Sequence, residues 1–317
     1  MSQPAALAAQ QRGTPTLAIA LLALIAVLWG FNWPIMKVGL AELPPWVFRA
    51  TASVVSCAGL FLISAIAGHS LRVPRGEWRP VILGGVLNIT LFNMLVAYGI
   101  TLMDAGRAGI IAYTMPLWAT LIGTVVLKER LSGRAVAGLG IGLIGMLLLF
   151  SVDAVALTGS LLGPLLVLGG AISWGAGTVV IKHARPTMAI TVAVAWQHLI
   201  GVIPIAVVAV AWDWRNIDAL NFWPMMSLAY NMLITGIICY WAYFKVVEML
   251  PVVASTVGTL MVPVIGVFSN ELVFGVTPHL VDYTALTCVA AAVFLVVMRR
   301  RSPSAADEGR QDGTLQR

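Results

Sequence analysis

Residues 28–37, LWGFNWPIMK, place two indoles, an amide, a proline and an amine along one continuous apolar segment. Trp29, Asn32 and Trp33 are three and four apart, so on a helix they share a face. A helix that only anchored a chain in lipid would be better built of Leu and Val. Indole planes stack on flat groups and attract cations, and an amide offers both donors and an acceptor. Pro34 deprives the carbonyl of Gly30 of its intrahelical partner. One reading makes this stretch a cavity wall for a solute, hinged at Pro34. The other makes it helix packing, with Gly30 at a close contact and the indoles in the interfacial belt.

Further polar side chains recur at the middle of apolar runs: Asn88, Asn93, Tyr98, Tyr113, Trp174, Gln197, His198, Asn231, Tyr240 and Tyr243. A polar group at the bilayer centre is costly unless it faces protein or water, so each is a functional candidate. With Trp29 and Asn32 they form the candidate substrate-binding set, and Pro34, Pro116 and Pro263 are candidate hinges. The absences narrow the solute. A drug cation needs a carboxylate at mid-depth and a phosphate dianion needs Lys or Arg there; neither is found. A neutral or zwitterionic solute fits, its apolar part on Trp and Tyr and its ammonium and carboxylate on carbonyls, amides and hydroxyls.

His198 is the mid-depth group that titrates near neutral pH. It either relays a proton or binds a substrate carboxylate, or it only hydrogen-bonds a helix; in the last case facilitated efflux is the simpler mechanism. Lys37, Arg49, Arg107, Glu271 and Asp282 lie near the outer ends of their runs, and Lys182, Lys245 and Glu248 near inner ends. They are expected to snorkel to the headgroups. No metal or cofactor is expected, and no H-E-x-x-H, G-x-S-x-G or P-loop pattern appears, which argues against an enzyme.

The elements that position these residues follow from composition. The chain of 317 residues is 60% apolar and only 10% charged, with a mean hydropathy of +0.93. A soluble domain is nearer half apolar and a quarter charged, so this chain buries most of its surface in lipid. A spanning helix needs about twenty apolar residues. That ruler gives ten spans, roughly 17–40, 46–67, 80–102, 106–127, 134–151, 160–182, 187–211, 222–247, 252–275 and 279–298. Cys57, Cys239 and Cys288 all lie in apolar runs and are read as buried thiols.

Lys and Arg collect on the cytoplasmic side, and here they alternate loop by loop. Arg72, Arg75 and Arg79, then Lys128, Arg130 and Arg134, then Lys182 and Arg185, then Arg299, Arg300 and Arg301 fall on one side. Glu42, Asp104, Asp153, Asp213 and Asp218 fall on the other, with Arg215 the one base among them. Both termini are therefore expected in the cytoplasm. The basic excess sits in short loops, so nucleic acid is not an expected partner.

The opening motif returns as ISWGAGTVVIK: Trp174-Gly175 precedes Lys182 as Trp29-Gly30 precedes Lys37, 145 residues later. Pro116 and Pro263, mid-span in both cases, are 147 apart. Spans one to five and six to ten thus read as two copies, and an odd number of crossings per copy inverts the second. Inverted repeats with a midplane site mark secondary transporters. The expected fold is an all-α integral membrane protein of ten transmembrane helices, two inverted five-helix repeats around a central cavity. Its parts are a cytoplasmic tail 1–16, a first repeat 17–151, a periplasmic linker 152–159, a second repeat 160–298 and a disordered polar tail 299–317. Spans five and ten, the least polar, are placed at the periphery.

On WGFNWPIMK, PPWVFRA with Arg49, PLWATLIGTVVLKERLS with Glu129, and WQHLIGVIP with Gln197, Gly201 and Pro204, the chain resembles the EamA-type ten-helix branch of the drug/metabolite transporter superfamily. One departure is that Val276 stands where the second half would repeat Glu129. Within the family the chain is most similar to bacterial aromatic amino-acid exporters. The resemblance implies a secondary transporter or facilitator in the bacterial inner membrane, exporting a small neutral or zwitterionic metabolite of the aromatic amino-acid kind by alternating access. A proton-coupled multidrug or other metabolite exporter of the same fold is the alternative, and a non-transporting scaffold a remoter one. The partners expected are a small-molecule substrate and membrane lipid; monomer and homodimer are both left open.

Overall fold

The computed structural model describes residues 15–126, 133–155, 161–213, 215, 221–249 and 259–297. Glu129 and the stretches 1–14 and 298–317 lie outside the described residues. What is described is helical. The spans are α1 (Pro15–Leu40), α2 (Pro45–Ile66), α3 (Arg75–Thr101), α4 (Ala105–Val126), α5 (Gly133–Val155), α6 (Leu162–Ala184), α7 (Ile190–Asp213), α8 (Phe222–Ala229, Tyr230–Cys239 and Tyr240–Met249 in succession), α9 (Met261–Phe274) and α10 (Leu280–Val297). Seven are long and apolar enough to cross a membrane; in α5, α9 and α10 the apolar stretch is shorter. The bundle wears its apolar residues outside, Val125 at 79% and Leu280 at 81% exposed, as a surface solvated by lipid does. The protein is a multi-pass membrane protein.

Local chemistry sets the ends. Pro44 and Pro45 open α2, proline being tolerated where no amide donor is needed. Asp104 caps α4, its carboxylate accepting from the Arg107 amide at 3.0 Å. Gly275, at φ 67°, closes α9 in the left-handed region that glycine tolerates, its amide reaching the Glu271 carbonyl.

The packing order exposes the internal symmetry. Helix α1, from the first half, lies against α8 and α9 of the second, and α6 lies against α3 and α4 of the first. The self-paired contacts are α2 with α7, α4 with α9 and α5 with α10. Exchanging each helix for the one five places on leaves this pattern unchanged, as a pseudo-twofold axis requires. Two stretches of irregular backbone obey the same exchange: π-helical turns occupy Gly85–Leu91 in α3 and Tyr230–Cys239 in α8, beginning 145 residues apart, while a third, Ala209–Asp213 in α7, has no counterpart in α2. The fold is two inverted five-helix repeats. Helices α5 and α10 pack chiefly on each other at the edge of the bundle, as their composition suggests.

Close crossings fix the register. A Cβ on Gly201 would come within 2.4 Å of the Gly85 carbonyl oxygen, so α7 and α3 meet backbone to backbone. The Thr90 hydroxyl donates to the Gly201 carbonyl at 2.7 Å across the same contact. Without hydrophobic drive between helices in lipid, small residues and side-chain hydrogen bonds do this work.

Candidate functional site

Trp29 heads a cluster where α1 of the first repeat meets α8 of the second. Its ring packs edge-on against Tyr240 at 5.9 Å between centroids and at a tilt against Tyr243 at 5.8 Å. The Tyr240 ring in turn stands perpendicular to His198 of α7 at 5.3 Å. Tyr113, in α4, lies within electrostatic reach of both tyrosines. Residues from three helices and both repeats therefore meet in one aromatic nest, with Tyr113 of a fourth helix near it. Trp29, Tyr113, Tyr240 and Tyr243 are each only partly buried, so the nest is not sealed.

One turn along α1, the Asn32 carbonyl oxygen accepts from the Thr235 hydroxyl at 3.0 Å. That bond fixes the amide and leaves its NH₂ side as a donor. Thr235 sits in the π-helical stretch of α8, as does Tyr230, whose hydroxyl donates to the Leu28 carbonyl at 2.7 Å. Sequence periodicity missed both, because a π turn shifts which residues face a neighbour and leaves no compositional mark. The Gly30 carbonyl is not open to a cavity: the Ser269 hydroxyl of α9 lies 3.3 Å from it. A Cβ on Gly30 would fall 2.5 Å from Ile265, so this glycine lets α1 and α9 approach. Trp33 is buried between Gly109 and Gly266 and belongs to packing. The opening motif is thus split, with Trp29 and Asn32 toward α8 and Gly30 and Trp33 toward α9.

His198 is buried and its Nδ1 lies 3.0 Å from the Val194 carbonyl of its own helix. A carbonyl can only accept, so Nδ1 carries the proton. That bond fixes the ring, whose plane stands perpendicular to Tyr240.

The equivalent place in the other half of the pseudo-symmetric pair is built differently. Trp174 of α6 packs on Phe92 of α3 at 4.8 Å, where Trp29 meets tyrosines. Asn88 donates to Gln197 at 3.4 Å and presses on Gly177, where a Cβ would lie 1.9 Å from its oxygen. Asn88 thus knits α3, α6 and α7 together. Asn93 and Asn231 donate to carbonyls four residues back in their own helices, Ile89 and Ser227, at 2.8 and 3.1 Å. Tyr98 is exposed and leans on Trp46. Of the predicted set, Trp29, Asn32, Tyr113, His198, Tyr240 and Tyr243 come together; Asn88, Asn93, Tyr98, Trp174 and Asn231 stand apart from that nest.

The hinge candidates separate likewise. Pro34 lies within α1, whose helix continues through it. Pro116 follows a full break: α4 stops at Ala112, turns over Tyr113 and Thr114, and restarts at Met115. Pro263 also stands just after a turn, at Thr259–Leu260, in the first turn of α9.

The expectation that charges near the outer span ends snorkel is corrected for four of them. Arg107 of α4 pairs with Asp282 of α10 at 2.7 Å, their side chains 13% and 7% exposed. Lys37 donates to the Met103 carbonyl at 2.5 Å, and Asn270 of α9 to Asp104 at 2.7 Å. Arg49 is buried. For Lys37, Arg107 and Asp282 the physical reason is that the adjoining ends of α1, α4, α9 and α10 meet, so partners inside the protein are nearer than the headgroups; Arg49 is instead enclosed on α2 against Met36. Asp104, Arg107, Asn270 and Asp282 line a groove there with Thr277 and Pro278.

A family model, the EamA-like transporter family, matches residues 16–151 and again 161–298. The chain is 27% identical over 249 residues to an uncharacterized transporter, YoaV, of Bacillus subtilis, covering 78% of this chain and 85% of that protein. It is 24% identical over 275 residues to a probable amino-acid metabolite efflux pump of Escherichia coli, covering 78% and 84%. A crystal structure with 20% sequence identity matches with a TM-score of 0.63 over 90% of this chain and 99% of its own, which shows the fold alone.

Proposed function

Since the chain belongs to the EamA-like transporter family, whose members move solutes across membranes, we propose that it exports a small neutral or zwitterionic metabolite of the aromatic amino-acid kind by alternating access. The observation that carries this reading is the nest of Trp29, Tyr240 and Tyr243 at the seam between the two repeats. A flat apolar side chain fits among ring edges and faces. An ammonium group is attracted by the tryptophan quadrupole. The Asn32 amide and the hydroxyls supply the polar contacts. No Asp or Glu among the described residues joins the nest, which disfavours a cationic drug. The relatives that carry amino-acid metabolite efflux in their names support the solute class.

A site shared by two inverted repeats is reached from alternate sides when one repeat rocks against the other. His198 is tied through Nδ1 to its own helix and meets an aromatic ring in place of a carboxylate, which favours efflux down the solute's own gradient. The chain is read as lying in the bacterial inner membrane with both termini cytoplasmic, after its loop charges. Purified protein in liposomes loaded with radiolabelled phenylalanine, tryptophan, alanine or a quaternary ammonium dye tests this, with and without a pH gradient. Aromatic amino acids should leave fastest and independently of the pH gradient. Flux of the dye alone would sink the reading.

A further inference from the structure

The side chain least accounted for by the fold is Arg49, the fifth residue of α2. It is 8% exposed. Its Nη2 reaches the Met36 sulfur at 2.6 Å, and its Nε has no partner. A thioether is a weak acceptor with no charge, so among the described residues nothing neutralises the guanidinium. Arg49 also sits near the amino end of α2, where the helix dipole is positive and adds to the deficit. Every other buried base near this end of the bundle is provided for: Arg107 has Asp282, and Lys37 has a carbonyl. A guanidinium cannot shed its proton at any accessible pH, and leaving such a charge buried and unpaired costs several kcal/mol. A fold that keeps it has some other use for it.

The position indicates the use. Arg49 rests on Met36, which lies one turn along α1 from Asn32 and on the same helical face. The cation therefore stands on the first repeat, one turn beyond the amide that Thr235 of the second repeat holds, at the edge of the site that Trp29 opens. We propose that Arg49 is the receptor for the carboxylate of the transported solute, and that the solute class is an aromatic or large apolar carboxylate carrying its ring into the nest. The guanidinium fork matches a carboxylate in two parallel hydrogen bonds, and the bound anion supplies the charge the protein omits. The empty site is then held at a cost that binding removes, and the solute closes the contact between repeats. This inference deepens the amino-acid reading above and rests on it for the location of the ring.

Four probes that differ in one group each test it on the detergent-purified full chain: phenylalanine, phenylacetate, phenylalanine amide and phenethylamine, followed by calorimetric titration. The two carboxylates should bind, and the amide and amine should bind at least about tenfold more weakly, the size of one lost charged hydrogen-bond pair. Arg49→Gln should erase that preference, and Arg49→Lys should restore part of it. Without ligand, Arg49→Met should melt no lower than the parent, since only an uncompensated charge is removed. A lower melting temperature would mean that the protein itself compensates Arg49, and the proposal falls. It falls equally if the amide binds as well as the acid, if Arg49→Gln keeps the preference, or if neither carboxylate binds. Should phenylacetate bind while phenylalanine does not, Arg49 keeps its role and the amino-acid reading fails. Should Arg49→Gln still export phenylalanine at the parental rate, that reading stands and the carboxylate receptor does not.

Discussion

At the scale of single residues, the chemistry of the site divides between an aromatic surface and a fixed amide. Trp29 meets two tyrosine rings from the opposite repeat, so its loss removes a stacking surface without removing a buried core residue. Stacked aromatic pairs contribute ~0.5–1.5 kcal/mol beyond burial. Trp29→Ala should therefore slow export of tryptophan and phenylalanine several-fold relative to alanine, read as the ratio of fluxes in one preparation. A lowered expression with an unchanged ratio would make Trp29 a packing residue. Asn32 is oriented by Thr235, and Thr235→Val should weaken binding of every amino-acid substrate alike, because the amide is then free to turn. A selective effect on aromatic substrates alone would contradict that role. Residue types were readable in the sequence, but their partners were not. Asn88 and Trp29 look equally suspicious in an apolar run, yet one is spent on Gly177 and Gln197 and the other faces tyrosines. Depth along a span is legible; azimuth is lost wherever a π turn such as Tyr230–Cys239 intervenes.

At the scale of elements, the paired helices α4 and α9 carry the irregularity linked to proline. A proline cannot donate to the carbonyl four residues before it and would clash with it in a continuous helix. In α4 the chain resolves this by breaking at Tyr113–Thr114, with Thr114 reclaiming local bonds: its amide donates to the Ile111 carbonyl at 3.1 Å and its own carbonyl accepts from Leu117 at 2.9 Å. The proline spacing announced a mid-span weakness in both halves, while a complete stop was not deducible, since proline alone more often bends than breaks. Because Tyr113 lies at the break and near the site, motion there is tied to it. Pro116→Ala and Pro263→Ala should each lower turnover more than affinity, as a healed helix resists rocking while the nest is unchanged. Turnover at the parental value in both variants would remove the hinge role, and a loss confined to affinity would reassign Tyr113's turn to binding.

At the scale of the whole molecule, the twofold exchange was the most legible feature. The Trp-Gly and proline intervals set it out, and the packing of α1 on α8 and α9 against α6 on α3 and α4 realises it. What joins the halves at their ends was not legible, because ion pairs such as Arg107–Asp282 link residues 175 apart in sequence with no motif around either. Removing one partner of a buried pair strands the other. Arg107→Gln should thus lower stability by up to about 3 kcal/mol, and adding Asp282→Asn should recover much of the loss. If instead the two single losses simply add in thermal melts, the pair contributes nothing as a pair. The direction in which the whole bundle sits follows from a different kind of sum, over loops. Arg72, Arg75 and Arg79 gather at the connection from α2 and the start of α3, while Glu42 and Asp104 lie at the connections after α1 and α3. Basic loops are retained in the cytoplasm. Ala41 is exposed after α1, and Gly76 is exposed with open space around it in the opening turn of α3, so a cysteine at either site is accessible without disturbing a contact. Ala41→Cys should react with an impermeant thiol reagent in whole cells whose outer barrier is permeabilised, and Gly76→Cys should react only after lysis. The three native cysteines lie in apolar spans, two of them buried, and leave the background low. Labelling of Gly76→Cys in whole cells, with Ala41→Cys protected, would turn the molecule over and with it the assignment of which side the Arg107–Asp282 pair closes.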